Sequence, residues 1–183
     1  TYAGEAIERH RGRADAYYMR AEAYYQKAQE ETLRSGSWTS EWHKPCTLDA
    51  ERAIRLDKKN VEALCIRSRL HSFTGNDDAA LSDCEKVIGL NPRFARAYVL
   101  RGIIRCMRED HRGSLRDCTK AIELNPLYLW AYTNRARALR KLGQFKSALE
   151  DLTRAEQLDA TLSTVKICRA QVFYDQGALD RSL

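Results

Sequence analysis

Arg93–Pro126 reads RFARAYVLRGIIRCMREDHRGSLRDCTKAIELNP, and it is the clearest copy of a unit that recurs along the chain. Self-similarity at a fixed period marks a repeat architecture, in which each unit buries its apolar face by stacking on its neighbour. Aligning on Asn-Pro sets the period: Leu90-Asn91-Pro92 returns 34 residues later as Leu124-Asn125-Pro126. The same step turns Ser82-Asp83-Cys84 into Arg116-Asp117-Cys118 and then Glu150-Asp151-Leu152. It also turns Ile66-Arg67-Ser68 into Leu100-Arg101-Gly102, Asn134-Arg135-Ala136 and Cys168-Arg169-Ala170.

Numbered 1–34 from Ala95, the repeat has a small residue at position 8 every time: Ala21, Ser68, Gly102, Ala136 and Ala170. Position 20 is also small (Cys46, Ala80, Ser114, Ala148). Position 27 holds Ala53, Val87, Ala121 and Ala155, and position 30 holds Leu56, Leu90, Leu124 and Leu158. Two helices approach closely where both carry small side chains and ridges find grooves. Small residues on either side of a turn therefore predict an antiparallel pair, helix A then helix B.

The pattern resembles the tetratricopeptide repeat (TPR) family. Leu64, Tyr98 and Tyr132 open helix A, a turn falls near Gly75, Asp110 and Gly143, and helix B ends in Leu-Asn-Pro or Leu-Asp. The resemblance spans nearly the whole chain and implies an all-α, TPR-like right-handed superhelical solenoid of antiparallel helix pairs. The register divides the chain into 1–13 (the end of a preceding helix B), repeats at 14–60, 61–94, 95–128 and 129–162, and a partial repeat at 163–183. Both ends fall in mid-pattern, as in a piece of a longer array. The first repeat holds 13 extra residues around 28–45, and there Pro45 is expected at the first position of helix B. Insertions in repeats map to loops. Trp38 and Trp42 in this one are either a contact site or a plug folded back onto helix A.

Of the 183 residues, 44% are hydrophobic and 31% charged, which suits a helical array whose length is not limited by a single core. No apolar run approaches the roughly 18 residues of a membrane span. Six cysteines (46, 65, 84, 106, 118 and 168) without a C-x-x-C read as small core residues in a reducing compartment. The expected location is the cytoplasm, with a cytoskeletal or ciliary assembly as a further setting. The net charge of +6 is uneven: residues 93–146 hold 13 Lys/Arg and 4 Asp/Glu, or +9.

Position 7 is Arg20, Arg67, Arg101, Arg135 and Arg169; position 23 is Asp49, Asp83, Asp117 and Asp151. Both lie about eight residues from the turn on opposite arms of a hairpin, so they reach similar height. A planar guanidinium suits a carboxylate there. The spacing predicts an Arg–Asp ladder, which removes those arginines from ligand binding but leaves the basic excess intact.

In TPR arrays the concave groove is lined by helix A positions 2, 5, 6, 9, 12 and 13. Carried over, the resemblance implies a groove of Tyr18, Glu22, Arg69, Arg96, Val99, Leu100, Ile103, Met107, Trp130, Asn134, Arg137, Arg140 and Lys141. Its middle is apolar and its C-terminal part basic, which suits a peptide or helix with hydrophobic anchors and acidic flanks. Interhelix packing of Leu100 and Ile103, and a merely solvated face at Arg137, Arg140 and Lys141, are the competing readings. The carboxylate clamp by which some TPR proteins hold chaperone tails needs Lys and Asn at positions 5 and 9, Asn at position 6 of the next repeat, then Lys and Arg at 2 and 6. Here those positions read Tyr18, Glu22, Ile66, Arg96 and Leu100, or Cys65, Arg69, Leu100, Trp130 and Asn134. From the third repeat they read Val99, Ile103, Asn134, Thr164 and Cys168; none of the three series matches beyond one or two residues, so chaperone-tail binding by this segment is not expected.

No G-x-x-x-x-G-K-[ST], G-x-G-x-x-G or H-E-x-x-H occurs. His10, His43, His71 and His111 are scattered, and His71 and Arg105 at position 11 read as packing variants. No catalytic residue, metal or cofactor is expected. The leading function is a protein-interaction scaffold with an acidic partner. The alternatives are a structural part of a cytoskeletal or ciliary assembly and, less favoured, nucleic-acid binding through 93–146, where Phe94, Tyr98, Tyr128, Trp130 and Tyr132 are the aromatics.

Overall fold

The computed structural model describes residues 13–35, 40–161 and 163–180; Trp38 and nearly all of 1–13 lie outside them. All regular structure in the described residues is helical, in nine helices. They form two compact units, 1–92 and 93–183. The first contains α1 (Ala14–Ser35), α2 (Ser40–Leu56), α3 (Val61–Phe73) and α4 (Asp77–Leu90). The second contains α5 (Ala95–Met107), α6 (His111–Leu124), α7 (Leu129–Lys141), α8 (Phe145–Leu158) and α9 (Ser163–Asp180). Within each unit, consecutive helices pack in pairs, α1 on α2, α3 on α4, α5 on α6 and α7 on α8, as a solenoid of helical hairpins requires.

Small residues let the pairs close. Ala21, Ser68 and Ala136 on the first helices, and Cys46, Ala80, Ser114 and Ala148 on the second, are almost wholly buried. A Cβ on Gly102 would lie 3.0 Å from Cys118 Sγ and 3.4 Å from the Ser114 carbonyl oxygen. At the same height in the repeat before, Ser68 Oγ donates to the Ala80 carbonyl at 2.8 Å, and in the first repeat Cys46 Sγ donates to Ala21 O at 3.2 Å. In these two repeats the polar atom brought in at the crossing is satisfied across it, whereas the buried Ser114 Oγ of the third meets no hydrogen-bond partner among the described residues.

The turns keep the period too. Gly75, Glu109 and Gly143 adopt φ of 78°, 64° and 73°, 34 residues apart. The left-handed residue of the third repeat is therefore Glu109, not Asp110. Asp110 instead caps α6 by accepting from Gly113 N at 2.8 Å, as Asn76 caps α4 by accepting from Ala79 N. Gly177 occupies the same register but stays inside α9, which runs on to Asp180 without making the turn.

The first repeat departs most. α1 is 22 residues long against 13 for α3, α5 and α7. α2 starts at Ser40, so Pro45 lies inside it and not at its first turn's opening. A proline in that place cannot donate to the carbonyl four residues back, yet the helix extends over it because Trp42 holds the extra turn: its ring stacks on Tyr24 at 5.7 Å with Lys27 Nζ 5.0 Å away. The expected loop is thus helix at Trp42, and this tryptophan folds back onto α1.

Candidate functional site

The Arg–Asp ladder decides which cations are occupied. Arg67, Arg101 and Arg135 each donate through Nε and Nη2 to both carboxylate oxygens of Asp83, Asp117 and Asp151, at 2.7–3.0 Å. Arg20 does the same to Asp49, across 29 residues of sequence where the others span 16. The aspartates are buried and the arginines half-buried. The carboxylate hydrogen bond holds the Arg20, Arg67 and Arg135 guanidinium pKa above its ordinary value. Arg105, from position 11, also reaches Asp117 at 2.7 Å. Sequence spacing missed that contact because arginine there is peculiar to this repeat.

In the first unit α1 touches α3, and the groove residues meet across that contact. Arg69 Nη2 donates to Glu22 Oε2 at 3.0 Å, and the guanidinium lies 3.8 Å from the Tyr25 ring centroid. Glu22 and Arg69 are thus a mutually held pair, next to half-buried Tyr18. Met19 and Phe73, at groove positions 6 and 13, are exposed apolar neighbours on the same two helices.

In the second unit α5 touches α7, and α7 touches α9. Met107 is 61% and Trp130 42% exposed, Lys141 is exposed, and Arg96, Ile103 and Arg137 are half-buried. Three expected groove residues are corrected. Val99 is buried against Ala121 and Ala131, Leu100 is buried, and Asn134 is buried with its Nδ2 donating to Trp130 O at 2.8 Å. Val99 thus belongs to the core between α5, α6 and α7, and the Asn134 amide is held within its own helix. Arg140 Nη1 is held by Asp175 Oδ2 of α9 at 2.5 Å, so its charge is matched. Position 12 facing position 13 of the following helix is the signal that could have revealed this pair. Among the described residues, Arg137 Nη1 reaches only the Asn134 amide oxygen, at 3.5 Å.

Burial pushes the Cys46 and Cys118 thiols up to about 12, which leaves them protonated and inert near neutrality. Among the described residues no group of three or more His, Cys, Asp or Glu side chains could hold a metal, and no helix is long and apolar enough to cross a membrane.

Two family models described as tetratricopeptide repeat match the chain, one over residues 61–94 and one over 118–150. No curated protein sequence matches it significantly. Among solved structures, MamA superposes with a TM-score of 0.63 at 16% identity, covering 86% of this chain and 85% of that one. The first TPR of Spaghetti (RPAP3), bound to the HSP90 peptide SRMEEVD, gives a TM-score of 0.61 at 19% identity, covering 66% and 96%. The TPR2B domain of yeast Sti1, in a pHsp70 complex, gives 0.59 at 22% identity, covering 64% and 98%. At these identities the likeness is one of fold.

Proposed function

Because the chain belongs to the tetratricopeptide-repeat family, we propose that it is a protein-interaction scaffold, taking a partner peptide or helix on the face made by its first helices. The observation that carries the reading is in the second unit, where neighbouring α5 and α7 offer apolar Ile103, Met107 and Trp130 beside cationic Arg137 and Lys141. Aromatic and flexible apolar anchors supply burial, and the cations select acidic flanks. Peptide-bound neighbours of the same fold support the mode of binding. They do not carry over their peptides. Two positions of the carboxylate clamp are Ile66 and Leu100, both buried apolar side chains that offer no hydrogen bond to a carboxylate.

The test is affinity capture from extract, with and without nuclease, comparing wild type with an Arg137→Glu, Lys141→Glu variant. Arg140 is left alone because its reversal would also break the Asp175 pair. Protein partners that resist nuclease and are lost in the variant are the expected result. Capture abolished by nuclease in both proteins overturns it in favour of nucleic acid. A second reading rests on Arg112, Arg116 and Lys146, exposed on α6 and α8 away from that face. They favour an assembly component meeting an acidic polymer on its outer side, and retention of all partners in the groove variant is the result it requires.

A further inference from the structure

At position 9 the side chains of neighbouring first helices come together, and the two units fill that position differently. In the first unit it holds Glu22 on α1 and Arg69 on α3, and the pair is closed: Arg69 Nη2 donates to Glu22 Oε2 at 3.0 Å, with side chains 17% and 21% exposed. In the second unit the series reads Ile103 on α5, Arg137 on α7 and Gln171 on α9. An arginine stands there again, but among the described residues no carboxylate pairs with it. Its one hydrogen bond among them is the weak contact with the Asn134 amide oxygen at 3.5 Å. Gln171 is exposed and, among the described residues, unpaired.

Arg137 and Gln171 line one crevice between α7 and α9, with Arg140 beside them. Its floor is Leu152, Cys168 and Val172, all buried and packed too closely to admit water. Arg140 is matched by Asp175, one turn beyond Gln171 on α9. Two guanidinium charges less one carboxylate leave the crevice one unmatched positive charge, at Arg137. Lys141, one turn further along α7, is exposed and lies outside the crevice lining. The apolar floor keeps water from competing for the Arg137 charge from behind, which strengthens a hydrogen bond made in front. Asp175 repels a second negative charge. A carboxylate, flat and singly charged, suits that balance, and the guanidinium and the primary amide both present N–H donors to it.

We propose that Arg137 and Gln171 form a carboxylate-reading subsite at the mouth of this crevice, taking one Glu or Asp side chain of the partner. The subsite presupposes that the first-helix face binds a partner, and it names where that partner's acid sits. Arg137 supplies the charge. Gln171, the neutral isostere of glutamate, supplies a donor where a glutamate would close the site from within, as Glu22 does on α1. The subsite selects a carboxylate over a phosphate, whose charge of about −1.5 to −2 meets Asp175.

The probe is a capped tripeptide, acetyl-Leu-Glu-Leu-amide, titrated at constant ionic strength into the isotope-labelled intact chain. The Gln171 side-chain amide and Arg137 Nε–H resonances are expected to shift together with Kd on the order of 10 mM. The glutamine analogue of the peptide is expected to leave them in place, and the phosphoserine analogue to bind about threefold more weakly. Gln171→Glu, which gives Arg137 an internal partner, is expected to weaken binding about tenfold, read at Arg137 Nε–H. Gln176→Glu makes the same charge change at an exposed position of α9 outside the crevice lining, and is expected to stay within about twofold of wild type. The proposal is overturned by no saturable shift up to about 100 mM peptide, by equal weakening in the two variants, or by tighter binding of the phosphoserine peptide, which would make Arg137 an unselective surface cation. Such a failure, with partners still lost from the Arg137→Glu, Lys141→Glu variant, strikes the subsite and leaves the scaffold. Tripeptide binding with no groove-dependent partner strikes the scaffold and leaves the subsite.

Discussion

The first and third repeats reach the same contact by different routes. In both, arginine at position 7 grips aspartate at position 23 with two hydrogen bonds, and a small residue at position 8 meets a small residue at position 20. Yet 29 residues separate Arg20 from Asp49, against 16 between Arg101 and Asp117. The inserted residues leave the crossing untouched. They are absorbed beyond it, in a longer α1 and an earlier start to α2. The hairpin is therefore registered by its crossing point, and the turn is only required not to interfere.

The largest effect expected from this comparison is at the aspartates. Asp117 is buried and holds both Arg101 and Arg105, whereas among the described residues Asp49 holds Arg20 alone, whose side chain is 30% exposed. Removing one partner of a buried pair costs about 3–5 kcal/mol, and solvent access to the survivor reduces that. Asp117→Ala is expected at the upper part of that scale and Asp49→Ala at about 2 kcal/mol. Urea denaturation of the two variants measures the difference. Equal losses would mean that Arg105 adds nothing and that crossing strength does not differ between the repeats.

How much of this was legible follows the same division. The ladder could be read because it repeats: each Arg and Asp recurs at one spacing, and only antiparallel pairing brings them to one height. Pro45 was misread because a proline's helix-start preference is a local rule, and here the Trp42–Tyr24 stack, a contact between helices, overrides it. Val99, Leu100 and Asn134 were misplaced in the groove because a position number assigns a helix face but not what the neighbouring helix covers. Arg140 was read as an available cation since Asp175 lies a full repeat away. Trp42 gives the next prediction. Trp42→Ala removes a stacked ring and a cation–π contact, at a cost of about 1–2 kcal/mol. The start of α2 is expected to retreat toward Pro45, making the first repeat more like the third while Arg20–Asp49 persists. Hydrogen exchange at the α2 amides preceding Pro45 should lose protection; unchanged protection there would show that the turn stands without the stack.

The smallest effect concerns the turns themselves, where the third repeat is the odd one. Gly75 and Gly143 take positive φ without a Cβ, while Glu109 takes it at 64° with one. A side chain in the left-handed region costs about 1 kcal/mol, partly offset because glycine loses more backbone freedom on folding. Glu109→Gly is therefore expected to stabilise the chain by about 0.5 kcal/mol, and Gly75→Ala or Gly143→Ala to destabilise it by about 1 kcal/mol. Nothing lies within 4 Å of a Cβ at either glycine, so strain in the backbone alone sets the sign. Paired thermal melts of the three variants read the effect directly. A Glu109→Gly variant less stable than wild type would mean that the glutamate side chain contributes more to the third turn than its backbone conformation costs, and the three turns would then no longer be one device repeated every 34 residues.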